Sequence, residues 1–308
     1  MNTLRIIAAA SAVLANGSVL ASSCANPNAL GISRVIAVNP QITPVVGTAD
    51  YGVRLPLAPG EVVLTFDDGP NAATTPAVLK ALADQCVRAT FFMVGRQARA
   101  FPHTARQVAA AGHTIGTHSQ NHPLGRLHGT RATYEIDAGI ASVTAALGRA
   151  PAPFFRFPGL YRTQEAERYL HERGIMVWSV DVDSYDWKHN NTNVMLQSTV
   201  ARLAARGGGI LLMHDIKPRT AAVVPKLLAM LKARGLRIVH LVPRGGGTPA
   251  GLIAMSHHPA PSTAHHSPNV ASSDVASGRK SVSVHPSARP VLAKNNFESV
   301  FTPVAQRH

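Results

Sequence analysis

The sequence predicts an α/β fold, an imperfectly closed seven-stranded parallel barrel in a single domain. Three observations carry that reading. Short β-branched or aromatic runs alternate with helix-like segments, the order expected of a parallel sheet covered by helices. Pro76 stands just inside a helix start, and Gly112, Gly174 and Gly235 stand just past helix ends. Ionisable residues also fall directly after apolar runs, where the carboxyl ends of parallel strands form one rim.

Taken in order, Val62–Phe66 reads as the first strand and Thr75–Gln85 as the helix after it. Ala89–Val94 follows, with Phe91, Phe92 and Met93 expected in the barrel core, and then a helix over Pro102–Ala111. Thr114–Thr117 leads to Thr130–Leu147, Phe154–Phe157 to Gln164–Arg173, and Ile175–Val180 to Asn193–Ala205. Ile210–Met213, a helix over Thr220–Arg234 and a last strand over Leu236–Leu241 complete the domain, assigned to residues 59–244.

The flanks differ in character. Arg5, the apolar run Ile6–Leu14 and Val19-Leu20-Ala21 read as a cleaved secretory signal over residues 1–21. Asn16-Gly17-Ser18 interrupts that run before it reaches the roughly 20 residues a membrane span needs, and no later stretch is long enough, so the mature chain is expected to lack a transmembrane segment. Residues 22–58 lack strong periodicity and are expected to wrap the domain or hang from it. From Gly245-Gly246-Gly247 to residue 308 the chain is rich in Ser, Pro, His and Ala without Trp or Tyr, which predicts a disordered tail.

The 308 residues include 30 Lys plus Arg against 16 Asp plus Glu, a formal charge of +14 that should attract polyanions. A hydrophobic content of 45% excludes wholesale disorder, and two cysteines exclude both a disulfide-dense scaffold and a four-cysteine zinc module. Cys24 and Cys86 could pair in an oxidising compartment, but Cys86 reads more simply as a buried helical thiol.

Asp67 and Asp68, His118, Arg156, Asp181 and Asp183, and His214 each follow or close a strand, so five strands aim ionisable groups at one rim. His118 and His122, spaced i and i+4 in a strand exit, leave a position open for water if a carboxylate joins them in holding a metal. Asp67-Asp68-Gly69-Pro70 supplies two carboxylates fixed by a tight turn. Adjacent side chains on extended backbone diverge, so one acid can bind metal while the other accepts a proton.

These segments, in order, resemble the signatures of the polysaccharide deacetylase family, the NodB homology domain of carbohydrate esterase family 4. They are Thr65-Phe66-Asp67-Asp68-Gly69-Pro70, His118 to His122, Arg156-Phe157-Pro158-Gly159, Asp183-Ser184-Tyr185-Asp186-Trp187 and Leu212-Met213-His214-Asp215. The resemblance implies a distorted (β/α) barrel of seven strands. It implies Asp68, His118 and His122 as ligands of a divalent metal, commonly zinc, with cobalt or manganese as substitutes. It further implies Asp67 as general base oriented by Arg156, and His214 as general acid tuned by Asp186, with Asp183 the competing partner. Gly159 would supply an oxyanion donor, and Trp187 and Leu212 would wall the groove and the acetyl pocket. Many relatives carry a bulkier residue where Gly159 stands.

The expected activity is N-deacetylation of an N-acetylglucosamine polymer by an exported enzyme, held electrostatically near anionic envelope polymers. An O-acetyl esterase and a catalytically silent glycan-binding protein are the alternatives. Nucleic acid is not an expected partner, because aromatic residues make up only 5% and no stacking or helix-turn-helix motif occurs. His103, His113, His128, His171, His189 and His240 lie outside the matched segments and read as surface or core residues, His189 being the one placed to line the groove.

Overall fold

A computed structural model describes Cys24 and residues 26–244. The secretory signal assigned to residues 1–21 and the tail assigned to 245–308 lie outside the described residues. In chain order the elements are β1 (Arg34–Val38), β2 (Val45–Val46), β3 (Glu61–Asp67), α1 (Thr75–Asp84), β4 (Thr90–Met93), α2 (Gly95–Ala100), α3 (Pro102–Ala110) and β5 (Thr114–Thr117). There follow α4 (Gly129–Leu147), β6 (Phe154–Phe155), a single 3-10 turn at Pro158–Leu160, α5 (Gln164–Glu172), β7 (Met176–Trp178) and β8 (Val182–Asp183). The last are α6 (Thr192–Arg206), β9 (Gly208–His214), α7 (Pro218–Ala233) and β10 (Arg237–Pro243).

Every pairing between these strands is parallel. β3 is the hub: it pairs along its whole length with β9, from Glu61↔Gly208 to Asp67↔His214. On its other side it meets β10 at its start and β4 at its end. The path β3-β4-β5-β6-β7 continues along the chain into β8, which pairs with β9 and so returns to β3. This is a distorted barrel of seven strands. Its membership differs from the sequence reading, because two-residue β8 closes the circuit while β10 lies outside it between β1 and β3.

Alternation along β3 separates two cores. Val62, Leu64 and Phe66 pack outward with helix residues such as Leu82 and Leu228. Val63 points inward with Phe92, Phe154, Met176, Trp178 and Ile210, and this apolar plug fills the lower barrel. The inward positions above Val63 are Thr65 and Asp67, both buried. The polar residues of the upper barrel are thus the continuation of an apolar stripe.

Within the span 22–58, the described residues form more than a loose extension. β1 lies beside β10 with Arg34 opposite Val239, and the Arg244 N–H donates to the Val38 carbonyl. β2 lies beside β7. Arg34 grips the buried Glu61 carboxylate with two hydrogen bonds of 2.8 and 2.7 Å, which hold that carboxyl below its ordinary range. The reading of Cys86 as a helical thiol is corrected: α1 stops at Asp84, Cys86 adopts a positive φ, and it forms a disulfide with Cys24 across a Cα–Cα distance of 5.8 Å. No helix among the described residues is long and apolar enough to cross a membrane.

Candidate functional site

The carboxyl end of β3 delivers Asp67 and Asp68 to different tasks. Asp67 still belongs to the strand and points inward, where Arg156 Nη1 donates to its Oδ1 at 2.7 Å. The same guanidinium donates to Thr65 Oγ1 at 2.8 Å and to the Ser179 carbonyl at 3.2 Å, and it lies 4.2 Å over the Phe92 ring. A fully buried arginine is thereby held by a carboxylate, a hydroxyl, a carbonyl and an aromatic face. Asp68 turns away with a φ of 77°, a left-handed conformation that aspartate tolerates better than most residues.

Asp68 Oδ1 lies 3.0 Å from His122 Nε2 and 3.5 Å from His118 Nε2. One ligand atom from each of the three residues can be chosen so that all lie within 4.8 Å of one another. His118 Nδ1 is 2.7 Å from the Arg156 carbonyl, which can only accept, so Nδ1 carries the proton and Nε2 turns a lone pair toward Asp68. Asp68 Oδ1 is buried and lacks a well-aligned donor among the described residues. Two imidazole nitrogens and a carboxylate oxygen converging at this spacing fit a divalent cation. Burial would raise the Asp68 carboxyl, but the approach of His122, His118 and His214 holds it well below the usual carboxylate range. Burial lowers His118, against the opposing pull of Asp67 and Asp68, and so favours the neutral ring a ligand needs.

The loop from His118 to His122 is shaped by a residue the sequence reading passed over. Glu135, buried on α4, accepts the backbone N–H groups of Gln120 and Asn121 at 3.0 and 2.8 Å and the Asn121 amide at 2.9 Å. His122 itself has a φ of 55° and donates its N–H to Ser119 Oγ at 3.0 Å. A glutamate at a helical position that pattern alone buries was the available signal.

His214 ends β9 directly opposite Asp67. Its Nδ1 meets Asp186 Oδ1 at 2.7 Å, and its backbone N–H donates to Asp186 Oδ2 at 2.8 Å. Thr220 Oγ1 donates to the same Oδ2 at 2.5 Å. Burial alone would lower His214, but the hydrogen bond and charge of Asp186 push it up to about 9. Asp183 instead accepts from the Tyr185 N–H and, at 3.3 Å, from the Trp187 indole, and burial raises its carboxyl.

Gly159 and Leu212 make no side-chain hydrogen bond or ion pair to this cluster among the described residues, and Trp187 reaches it only through its indole bond to Asp183. Leu212 lies two positions before His214 on β9, on the same strand face. Trp187 is half exposed. Gly159 has a φ of 58°, and a Cβ there would stand 2.8 Å from the half-exposed Tyr161 ring, so a side chain at this position would strain the backbone and displace that ring. In that turn the Leu160 and Tyr161 N–H groups bond to Phe157 and Pro158, while the Gly159 N–H donates no hydrogen bond among the described residues. His113 and His240 are buried away from this rim, bracketing Thr114 and Ala89.

The family described as Polysaccharide deacetylase matches residues 55–178. A peptidoglycan-N-acetylglucosamine deacetylase of Listeria monocytogenes is 34% identical over 179 residues, covering 58% of this chain but only 37% of that protein. The chain thus spans little more than a third of the Listeria protein's length. A chitooligosaccharide deacetylase of Azorhizobium caulinodans is 34% identical over 178 residues, which are 57% of this chain and 80% of that one. Among solved structures, a peptidoglycan deacetylase of Bdellovibrio bacteriovorus superposes with a TM-score of 0.64 at 29% identity, covering 73% of this chain and 64% of that one.

Proposed function

The chain belongs to the polysaccharide deacetylase family, and from that premise we propose that it is a metal-dependent hydrolase. Its reaction would remove N-acetyl groups from N-acetylglucosamine units of an envelope glycan, peptidoglycan foremost, releasing acetate. The observation that carries this reading is the meeting, on paired residues of β3 and β9, of an arginine-bound carboxylate and a carboxylate-bound imidazole beside Asp68, His118 and His122.

A divalent cation held by Asp68, His118 and His122, zinc first and cobalt or manganese as substitutes, would polarise the acetyl carbonyl and acidify a water. The chain's own residues do the rest. Arg156 occupies Asp67 Oδ1, which leaves Oδ2 to take a proton from the attacking water. The Gly159 N–H, with no other acceptor, is the donor for the developing oxyanion. His214 gives the proton on Nε2 to the sugar nitrogen as the C–N bond breaks, so the leaving group departs as a neutral amine. Asp186 keeps that imidazole charged at neutral pH. Leu212 and Trp187 wall the acetyl pocket and the groove. The Cys24–Cys86 disulfide supports a working place outside the reducing cytoplasm, where the positive charge would hold the enzyme near anionic polymers.

Acetate release from peptidoglycan, chitooligosaccharides and acetylxylan, measured with and without chelator, tests the proposal. Chelator is expected to abolish release and added zinc to restore it. Asp67→Asn should lower kcat by about 10²–10⁴ with the fold intact. Full activity in either case sinks the mechanism, and turnover of acetylxylan alone would replace the amide reading with an ester one.

A further inference from the structure

Beside the rim cluster lies a cavity of about 510 Å3 that none of Asp67, Asp68, His118, His122 or His214 lines. Its walls carry Arg126, His128, Arg162, Thr163, Glu165 and Arg168. Arg126 stands four residues after His122, and Arg162 six after Arg156. These loops leave β5 and β6, which are adjacent in the sheet through Thr117↔Phe155. The cavity therefore opens on the same rim as the cluster, one loop further out.

Its charge is uneven in a useful way. Arg162 is committed: it bonds to Glu167 at 3.0 Å and lies 4.9 Å over the Tyr51 ring, so its charge is offset and its position fixed. Glu165, the one carboxylate in the wall, is met by His128 Nδ1 at 3.6 Å and accepts the Gly129 N–H at 3.1 Å. Arg126 and Arg168 form no ion pair or hydrogen bond among the described residues, and both are exposed. Two guanidiniums thus face a cavity with no internal anion assigned to them. The volume falls in the range of roughly 300–1,000 Å3 typical of ligand sites.

We propose that this cavity is a subsite for a carboxylate carried on the glycan, gripped by Arg126 and Arg168, so that the enzyme favours N-acetylated glycans bearing acidic substituents over neutral ones. The inference rests on the deacetylase reading for what occupies the rim, and on the two arginines for the choice of substituent. Guanidinium matches carboxylate with paired, charge-assisted hydrogen bonds, which an exposed lysine patch would not reproduce. A peptide or lactyl carboxylate on the neighbouring sugar has the required chemistry.

The test compares the full chain with the double variant Arg126→Gln/Arg168→Gln by calorimetric titration. The probes are a peptide-bearing disaccharide cut from peptidoglycan and a neutral chitotetraose. The expected result is about tenfold weaker binding of the acidic probe by the variant, with neutral binding and the thermal midpoint unchanged. Equal affinities for the acidic probe in both proteins, equal losses for both probes, or no affinity for the acidic probe in the parent chain would each overturn the subsite. Acetate release by the parent chain is measured separately. Discrimination in binding without release would sink the deacetylase reading and keep the subsite, and release without discrimination would do the reverse.

Discussion

Asp186 accepts three hydrogen bonds, two from His214 and one from Thr220. Burial works to raise its carboxyl, and the hydrogen bond and charge of His214 reverse that. The partner imidazole is correspondingly raised to about 9. Because the folded value lies above the unfolded one, the stability this pair contributes is full below about pH 6.5 and lost as pH rises through about 9. The same sign governs turnover if His214 must be protonated. The alkaline limb of kcat/KM is expected near pH 9 in the parent chain, and Asp186→Asn should move it to lower pH, since burial is then opposed only by the charges of Asp68 and Asp67. A limb that stays in place would remove His214 from the acid role. The identity of the four cluster residues Asp67, Asp68, His118 and His122 was legible as residue types at strand ends. The choice between Asp183 and Asp186 was not, because it turns on the positive φ of Tyr185, which redirects the chain between them.

At the scale of elements, β3, β4, β9 and β10 were readable because each is an apolar run largely buried on both faces. β1, β2 and β8 escaped for a different reason. Their partners lie far along the chain, Arg34 against Val239 and Val182 against Leu211, and β2 and β8 hold two residues each. α2 escaped because Gly95-Arg96-Gln97-Ala98-Arg99-Ala100 shows no apolar period. The loop between β5 and α4 yields a prediction of its own. Glu135→Gln should weaken cation binding about 10–100-fold, read by equilibrium dialysis against zinc, because the loop carrying His118 and His122 loses its charged anchor. An unchanged affinity would make that anchor dispensable. β5 and β10 share a second device. Burial lowers His113 to about 3 and His240 to about 4, with Arg88 adding to both. Below about pH 6.5 the unfolded chain takes up protons that these rings refuse, so stability should fall between pH 6.5 and 5 by on the order of 2 kcal/mol per ring. Urea midpoints across that interval would show it, and His240→Gln should flatten the slope.

For the whole molecule, the disulfide closes a loop with a sequence separation of 62 and straps the start of the described chain to the end of α1. Loop-closure entropy assigns it about 4 kcal/mol. Cys24→Ser/Cys86→Ser should lower the urea-derived stability by that order, and reducing agent should bring the parent chain to the same value. No loss would mean that β1 and β2 hold the segment without it. The paired ends of the fold carry one more consequence. Cys86 lies in the turn before β4, at the amino ends of the strands, whereas β10 runs parallel to β3 and brings Arg244 up beside Val38 toward the end of the fold that carries Asp67 and His214. The molecule therefore has a heel and a toe. A support coupled near Cys24 would hold it by the heel and present the open rim to an insoluble polymer. The same support coupled at residue 244 would stand the molecule on the end that carries the Asp68, His118 and His122 cluster.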